Sequence, residues 1–171
     1  MIVAICGGSC SGKSTMAGNF RNACIVSMDD FYKGKSRMNP PYNFDEPEAI
    51  DLTRLAELVG ELKSGAEQVS IPRYNMKTSE PEGAQKLENK QFVVVEGIFT
   101  LYTAVLRELC DLKIFLDVPQ EERLRRRIAR DVIKGRTEAE SRAWSINVER
   151  MHDLYVEPQK KYADLVIPFK L

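Results

Sequence analysis

The sequence is poor in the residues that usually hold metals. It has one histidine and four cysteines in 171 residues. Cys6, Cys10, Cys24 and Cys110 include no CxxC pair, which excludes a structural zinc site of ordinary spacing. Two of them fall in apolar stretches that read as strands. All four are expected to be reduced thiols, which points to a cytoplasmic protein. His152 has no neighbour suited to nucleophilic or metal chemistry and reads as structural. Long apolar runs are missing too: none approaches the ~20 residues that cross a bilayer, so no membrane partner is expected. The first residues, Met1 to Cys6, lack the basic leader of a secretory signal. Net charge is also absent. Lys+Arg and Asp+Glu both number 25, so nothing global attracts nucleic acid. There is no internal repeat and no low-complexity tract.

What is present fits one domain over residues 1–171. Short apolar runs at 2–6, 24–28, 92–95, 112–118 and 165–167 read as buried strands. Helix-period segments cover 13–20, 52–62, 103–109, 121–133 and 138–155. That alternation predicts an α/β fold, a doubly wound parallel sheet with helices on both faces. Residues 33–47 and 64–89 are irregular and rich in Pro, Gly, Asn and charge. They are expected to form a substrate-side insert over about 33–89.

Between the first strand and the first helix lies Gly7-Gly8-Ser9-Cys10-Ser11-Gly12-Lys13-Ser14-Thr15. It fits the phosphate-loop pattern G-x-x-x-x-G-K-[ST]. Glycines let backbone N–H groups curl around phosphate oxygens at a helix N-terminus. Lys13 then reaches the β- and γ-phosphates, and the Ser14 hydroxyl ligates Mg²⁺. A second apolar strand ends in a carboxylate, Phe92-Val93-Val94-Val95-Glu96, so Glu96 is a candidate for the same metal. Asp29-Asp30-Phe31-Tyr32 follows the second strand. In a parallel sheet, strand C-termini gather on one edge, so Asp29 would sit beside the phosphates. There it could take or orient the proton of an attacking hydroxyl, or hold the metal. A GTPase switch would need an Asn-Lys-x-Asp guanine reader. Asn89-Lys90-Gln91-Phe92 lacks the aspartate.

A further candidate is an arginine stripe. Pro119, Glu121 and Glu122 mark a helix start. Leu124, Ile128 and Val132 recur at four-residue steps and are expected to face the core. Arg123, Arg127, Arg130 and Lys134 share another face. Repulsion among them would fall if a polyanion bridged them, which predicts a phosphate-clamping lid over about 123–140 with Lys134-Gly135-Arg136 at its tip. Alternatively the face is solvated, with Glu121–Arg125, Glu122–Arg126 and Arg127–Asp131 pairing along the helix. Trp144 reads as core or lid packing, with stacking on a substrate as the other option.

These motifs together resemble the uridine kinase and phosphoribulokinase group of P-loop kinases. GGSCSGKST, SMDDFYK, YNFDEPEAID, IPRYN, VVVEGIFTLY, RLRRRIARD and YVEPQKKYADLVIP stand in the order that group uses, over nearly the whole chain. The resemblance implies a helical arginine lid and transfer of a phosphoryl group from ATP or GTP, with Mg²⁺, to a hydroxyl of a small molecule. It implies Asp29 as base, with Ser14 and Glu96, and Asp29 itself, near the metal. Asp45 matches an acid that holds ribose hydroxyls, Tyr74 an aromatic beside the base, and Tyr32 lies on the same substrate side. Arg127 and Arg130 match arginines that meet substrate and phosphates; Arg126 and Arg136 fall on the nucleotide side. A homo-oligomer is left open. The chain departs from the pattern where pyrimidine kinases carry an aromatic, a His and an Arg: here stand Met76, Ser79 and Pro81. Uridine and cytidine are therefore expected to be poor acceptors, and nicotinamide riboside, pantothenate or a sugar phosphate remain alternatives.

Overall fold

A computed structural model describes residues 1–170. Seven strands occur, β1 (Ile2–Gly7), β2 (Ala23–Ser27), β3 (Gln68–Asn75), β4 (Glu80–Glu88), β5 (Phe92–Glu96), β6 (Leu112–Asp117) and β7 (Leu165–Pro168), with helices α1 (Lys13–Gly18), α2 (Leu52–Lys63), α3 (Ala104–Leu109), α4 (Gln120–Ile133) and α5 (Glu138–Met151). Five strands form one sheet in the order β2-β5-β1-β6-β7. Every pairing in that sheet is parallel.

The strand pattern explains the layering. All of β1 is buried, as a strand covered on both faces requires. Ile2, Ala4 and Cys6 point to the larger core, where they join Val93, Val95 and the α2 residues Leu55, Leu58 and Val59. Val3 and Ile5 point to the other face, with Val94, Ile114, Leu116 and Ala17 of α1. That is the two-residue period of a strand. Leu58 is fully buried, and truncating such a leucine to alanine costs ~2–5 kcal/mol. With β1 central, β5 and β2 on one side and β6 and β7 on the other, the carboxyl ends of β1, β2 and β5 share one edge at the point where the strand order reverses. Ile5, Glu96 and Ser27 are in register across it, and ligands bind at such a point in open α/β sheets.

Three elements differ from the sequence expectation. The segment 64–89 is mostly an antiparallel hairpin, β3 with β4. Its second strand, Glu-Pro-Glu-Gly-Ala-Gln-Lys-Leu-Glu, buries no residue, so there was no apolar alternation to read. The helix expected to run to 155 ends at Met151 and continues as a wider turn, His152–Val156. Finally, α4 packs on its polar side. Val132 is 52% exposed, whereas Arg123, Arg127 and Asp131 are buried at 4%, 5% and 2%. The reason is the neighbour: α5 offers Ser141, Ser145 and Glu149 rather than an apolar surface, and Asp131 Oδ2 accepts from Ser141 Oγ at 3.4 Å. Buried polar groups demand such partners. The turn between the helices is fixed by a capping box, Thr137 with Glu140, worth ~1 kcal/mol.

Candidate active site

The loop after β1 wraps a helix N-terminus. Gly12 takes φ 102° immediately before α1, a left-handed conformation that costs glycine nothing. Lys13 is 8% exposed and its Nζ donates to Gly8 O at 2.9 Å. Burial lowers its pKa, while Glu96 and Asp29 push it back up. Ser11 Oγ is buried without a partner. Arg126 lies along the outside of the loop: Nη1 donates to Ser11 O at 3.0 Å and Nε to Glu122 Oε1 at 2.6 Å. Glu122, held also by Arg125, is lowered to about 2.

Oxygen donors meet at the edge of β5. Glu96 Oε1 accepts from Ser14 Oγ at 3.0 Å and from Ser27 Oγ at 3.2 Å. Glu96 is 6% exposed; burial raises its pKa, and Lys13 opposes the rise. Asp29 stands in the single turn Met28–Phe31 that ends β2. Its carboxylate is open to the cleft, yet surrounding protein raises its pKa, with Lys13 and Arg130 acting the other way. A hydroxyl and carboxylates in this arrangement are hard donors of the kind Mg²⁺ takes alongside phosphate oxygens and water. Among the described residues no group of three or more His, Cys, Asp or Glu could hold a metal alone.

These residues line one cleft of about 1020 Å³. Of the residues singled out in the sequence, Ser9, Cys10, Gly12, Lys13, Ser14, Thr15, Asp29, Tyr32, Asp45, Tyr74, Glu96, Arg126, Arg127, Arg130 and Arg136 all line it. Gly7, Gly8 and Ser11 are buried in the loop behind them. The arginine stripe divides. Arg123 and Lys134 do not line the cleft: Arg123 is spent on Glu149 at 2.8 Å, and Lys134 is exposed beyond the helix end. Of the pairings read along the helix, Glu122–Arg126 forms at 2.6 Å, whereas Asp131 is joined by Arg130 at 2.9 Å and by Arg136 at 3.9 Å rather than by Arg127. Arg127 is buried and lines the cleft, yet it makes no ion pair among the described residues. A buried guanidinium without a carboxylate is poised for an anion.

The other end of the cleft is aromatic. Tyr32 lies 5.8 Å from Phe44 and 5.2 Å from Tyr74, ring centre to ring centre. Asp30 ties the hairpin to this wall by accepting from Tyr74 N at 3.4 Å. Asp45 lies between the two ends. Burial raises its pKa, Arg127 favours its charged form, and Asp29 and Glu149 oppose it. Met76 and Ser79 line the hairpin side, and Pro81 is exposed opposite Tyr74 in the ladder. Trp144 also faces the cleft, with the Arg136 guanidinium 5.7 Å from its ring. Phe44 and Lys35 line the cleft without having been singled out. Phe44 carried a signal, an aromatic inside the otherwise polar run Asn43 to Glu46; Lys35 carried none.

A parallel sheet with this loop at its switch point, an acid at the end of the neighbouring strand and arginines above them defines a P-loop kinase fold. The chain belongs to the phosphoribulokinase / uridine kinase family, whose profile matches residues 2–170. It is 39% identical over 179 residues to uridine-cytidine kinase A of Dictyostelium discoideum, covering 98% of this chain but 36% of that protein. The match to uridine kinase of Clostridium novyi (strain NT) is 35% over 181 residues, 98% of this chain and 86% of that one. Phosphoribulokinase from Rhodobacter spheroides shares the fold with a TM-score of 0.71 at 18% identity, over 98% of this chain and 69% of that one. Among the described residues no helix is long and apolar enough to cross a membrane.

Proposed function

We propose that this chain transfers the terminal phosphoryl group of ATP, or of GTP, to a hydroxyl of a nucleoside-like small molecule. The observation that carries the reading is the placement of Asp29: it lines the same cleft as Lys13, Ser14 and Glu96, at the end of β2, the strand next to the one that ends in Glu96. Ser14, Glu96 and Asp29 would hold Mg²⁺, which neutralises charge on the phosphates. Lys13 and the loop amides grip the donor. Asp29 orients the acceptor hydroxyl and takes its proton. Arg127 and Arg130 meet the transferred group, with Arg126 and Arg136 on the donor side. Residues from about 123 to 140 act as a lid within a single catalytic unit, and the four free cysteines suit the reducing cytoplasm. The relatives named as uridine kinases support a ribose-bearing acceptor, with Asp45 holding its diol and Tyr32 and Tyr74 flanking its head group.

The head group itself is the point where a second reading has support. Met76 and Pro81 can donate no side-chain hydrogen bond, and Ser79 is short. A site that hydrogen-bonds its substrate discriminates by ~10⁴ or more, and these residues cannot provide that for a pyrimidine. Another small alcohol, a different riboside above all, fits equally. Phosphorylated-product mass and steady-state rates across uridine, cytidine, other ribosides, sugar phosphates and pantothenate test both readings. Mg²⁺-dependent product is expected, with uridine and cytidine below a kcat/KM of ~10⁴ M⁻¹s⁻¹. ATP consumption that no acceptor stimulates would overturn the kinase reading. Uridine or cytidine above that value and ahead of every other acceptor would make this an ordinary pyrimidine nucleoside kinase.

A further inference from the structure

Helix α5 touches both halves of the cleft. On one side Glu149 holds Arg123, with Nη1 donating to Oε1 at 3.1 Å and Nη2 to Oε2 at 2.8 Å. Arg123 Nε donates to Val118 O at 3.0 Å. The guanidinium occupies the space that a side chain on Gly8 would need: a Cβ there would stand 2.8 Å from both Cδ and Nη1. The phosphate loop therefore rests on Arg123, and Glu149 aims Arg123. On the other side Asn147 Nδ2 donates to Asn43 Oδ1 at 3.0 Å, and that same oxygen accepts from the Asp45 amide at 3.2 Å. Asn43 Nδ2 reaches Met151 Sδ at 3.2 Å. Residues on either side of Glu149 thus hold the loop that carries Asp45.

Glu149 and Arg123 do not line the cleft. A buried ion pair is a poor source of stability, since apolar residues of the same size commonly do as well or better. Its value lies in geometry: a bidentate fork fixes direction as apolar contact does not. Any shift of the phosphate loop on filling would press on Arg123, hence on Glu149 and α5, hence on Asn43.

We propose that Glu149 is a positioning residue which, through α5, couples occupancy of the phosphate loop to the order of the acceptor loop at residues 43–46. This rests on the phosphoryl-transfer reading above. Donor binding would then pre-organise the acceptor site, and by reciprocity acceptor binding would tighten the donor.

Hydrogen exchange at residues 43–46 with and without Mg²⁺ and the non-hydrolysable analogue AMP-PNP tests this. In the wild-type chain AMP-PNP should slow that exchange by at least about fivefold, the low end of ordinary coupling. Glu149→Gln should retain less than about half of that effect, and Glu149→Asp should recover part of it. Asn147→Ala, at an exposed position, should bind AMP-PNP within about twofold of wild type yet lose the slowing; it decides the matter if Glu149→Gln fails to fold. A purely structural role would instead speed exchange throughout and leave the ligand-dependent difference intact. Full slowing in Asn147→Ala or in folded Glu149→Gln, or AMP-PNP binding in wild type without any slowing, overturns the coupling alone. A wild-type chain that binds only the guanine analogue GMP-PNP is put through the same comparison with it; failure to bind either analogue overturns the phosphoryl-transfer reading and the coupling with it.

Discussion

The two ends of the cleft are built on different principles. The phosphate end is assembled from strand termini, where β1, β2 and β5 are locked in parallel register. Several of its polar groups already satisfy one another: Lys13 on Gly8, Ser14 and Ser27 on Glu96. The acceptor end is assembled from single turns and a hairpin outside the main sheet, pinned by side-chain contacts that range from Asn43 on Glu46 at 2.6 Å to Tyr74 N on Asp30 at 3.4 Å. Backbone geometry therefore dictates the first end, whereas side-chain choice dictates the second. Changes at the phosphate end should abolish turnover whatever the acceptor. Those at the acceptor end should change which acceptor is used, and how tightly.

The largest effect is expected at Lys13. In the proposed role its contact with the phosphates would strengthen as charge shifts in the loose transition state, so Lys13→Ala should lower kcat/KM by at least ~10²-fold. Circular dichroism should show the fold retained. Near-normal turnover by the folded variant would remove the phosphate-end assignment.

Asp29 stands where the two ends meet. Asp29→Asn should lower kcat by ~10²-fold, while affinity for Mg²⁺·AMP-PNP stays well within tenfold. A collapse of nucleotide affinity in step with activity would make Asp29 chiefly a metal ligand and remove its role as proton acceptor. Because the surrounding protein raises its pKa in the free enzyme, the acid limb of kcat/KM should lie above the ordinary carboxylate range, and kcat/KM should fall as pH drops through it. Asp45→Asn should act on the acceptor alone. It would raise acceptor KM by ~10-fold or more, as loss of a charged hydrogen bond does, with the KM for ATP unchanged. An equal rise in both would mean that Asp45 serves the whole cleft.

The same division decides how much was legible in the sequence. The strand runs and Gly7–Ser14 carry local signals, a two-residue apolar period and a fixed glycine spacing, so the sheet and the phosphate loop could be read directly. β4 has no buried side and hence no period, and its pairing depends on β3. On α4 the apolar stripe was only partly right: Leu124 and Ile128 are half-buried, but the most buried face is that of Arg123 and Asp131, because the partner helix that makes them buriable comes later in the chain. Glu149 carries no local signal for the same reason: the residue it holds, Arg123, lies 26 positions away.

The smallest expected effect concerns His152, which read as structural and which the fold places between the two ends. It is 8% exposed, with Nδ1 buried and unpartnered, and it shares a small cavity with Ser9, Asp45 and Ile98. Burial pushes its pKa down to about 4, helped by the positive charges of Arg123 and Lys13. Its one carboxylate neighbour at ion-pair distance, Glu157 at 3.5 Å, is half exposed and does not reverse this. In the unfolded chain the imidazole takes up a proton near 6.5, so between 6.5 and about 4 the unfolded state binds more protons than the folded one. The contribution of neutral His152 is thus complete above 6.5 and drains away as pH falls towards 4, by roughly 2 kcal/mol after allowing for solvent screening. Tm should fall between pH 7 and pH 4.5 in the wild-type chain, and the fall should be smaller in His152→Phe, which has nothing to protonate. Carboxylates remote from residue 152 titrate alike in both proteins, so the difference belongs to the histidine and its immediate neighbours Glu157 and Asp45. Equal falls would mean that His152 can be protonated in place without strain, and that the contact region between the two ends is wetter than its geometry implies.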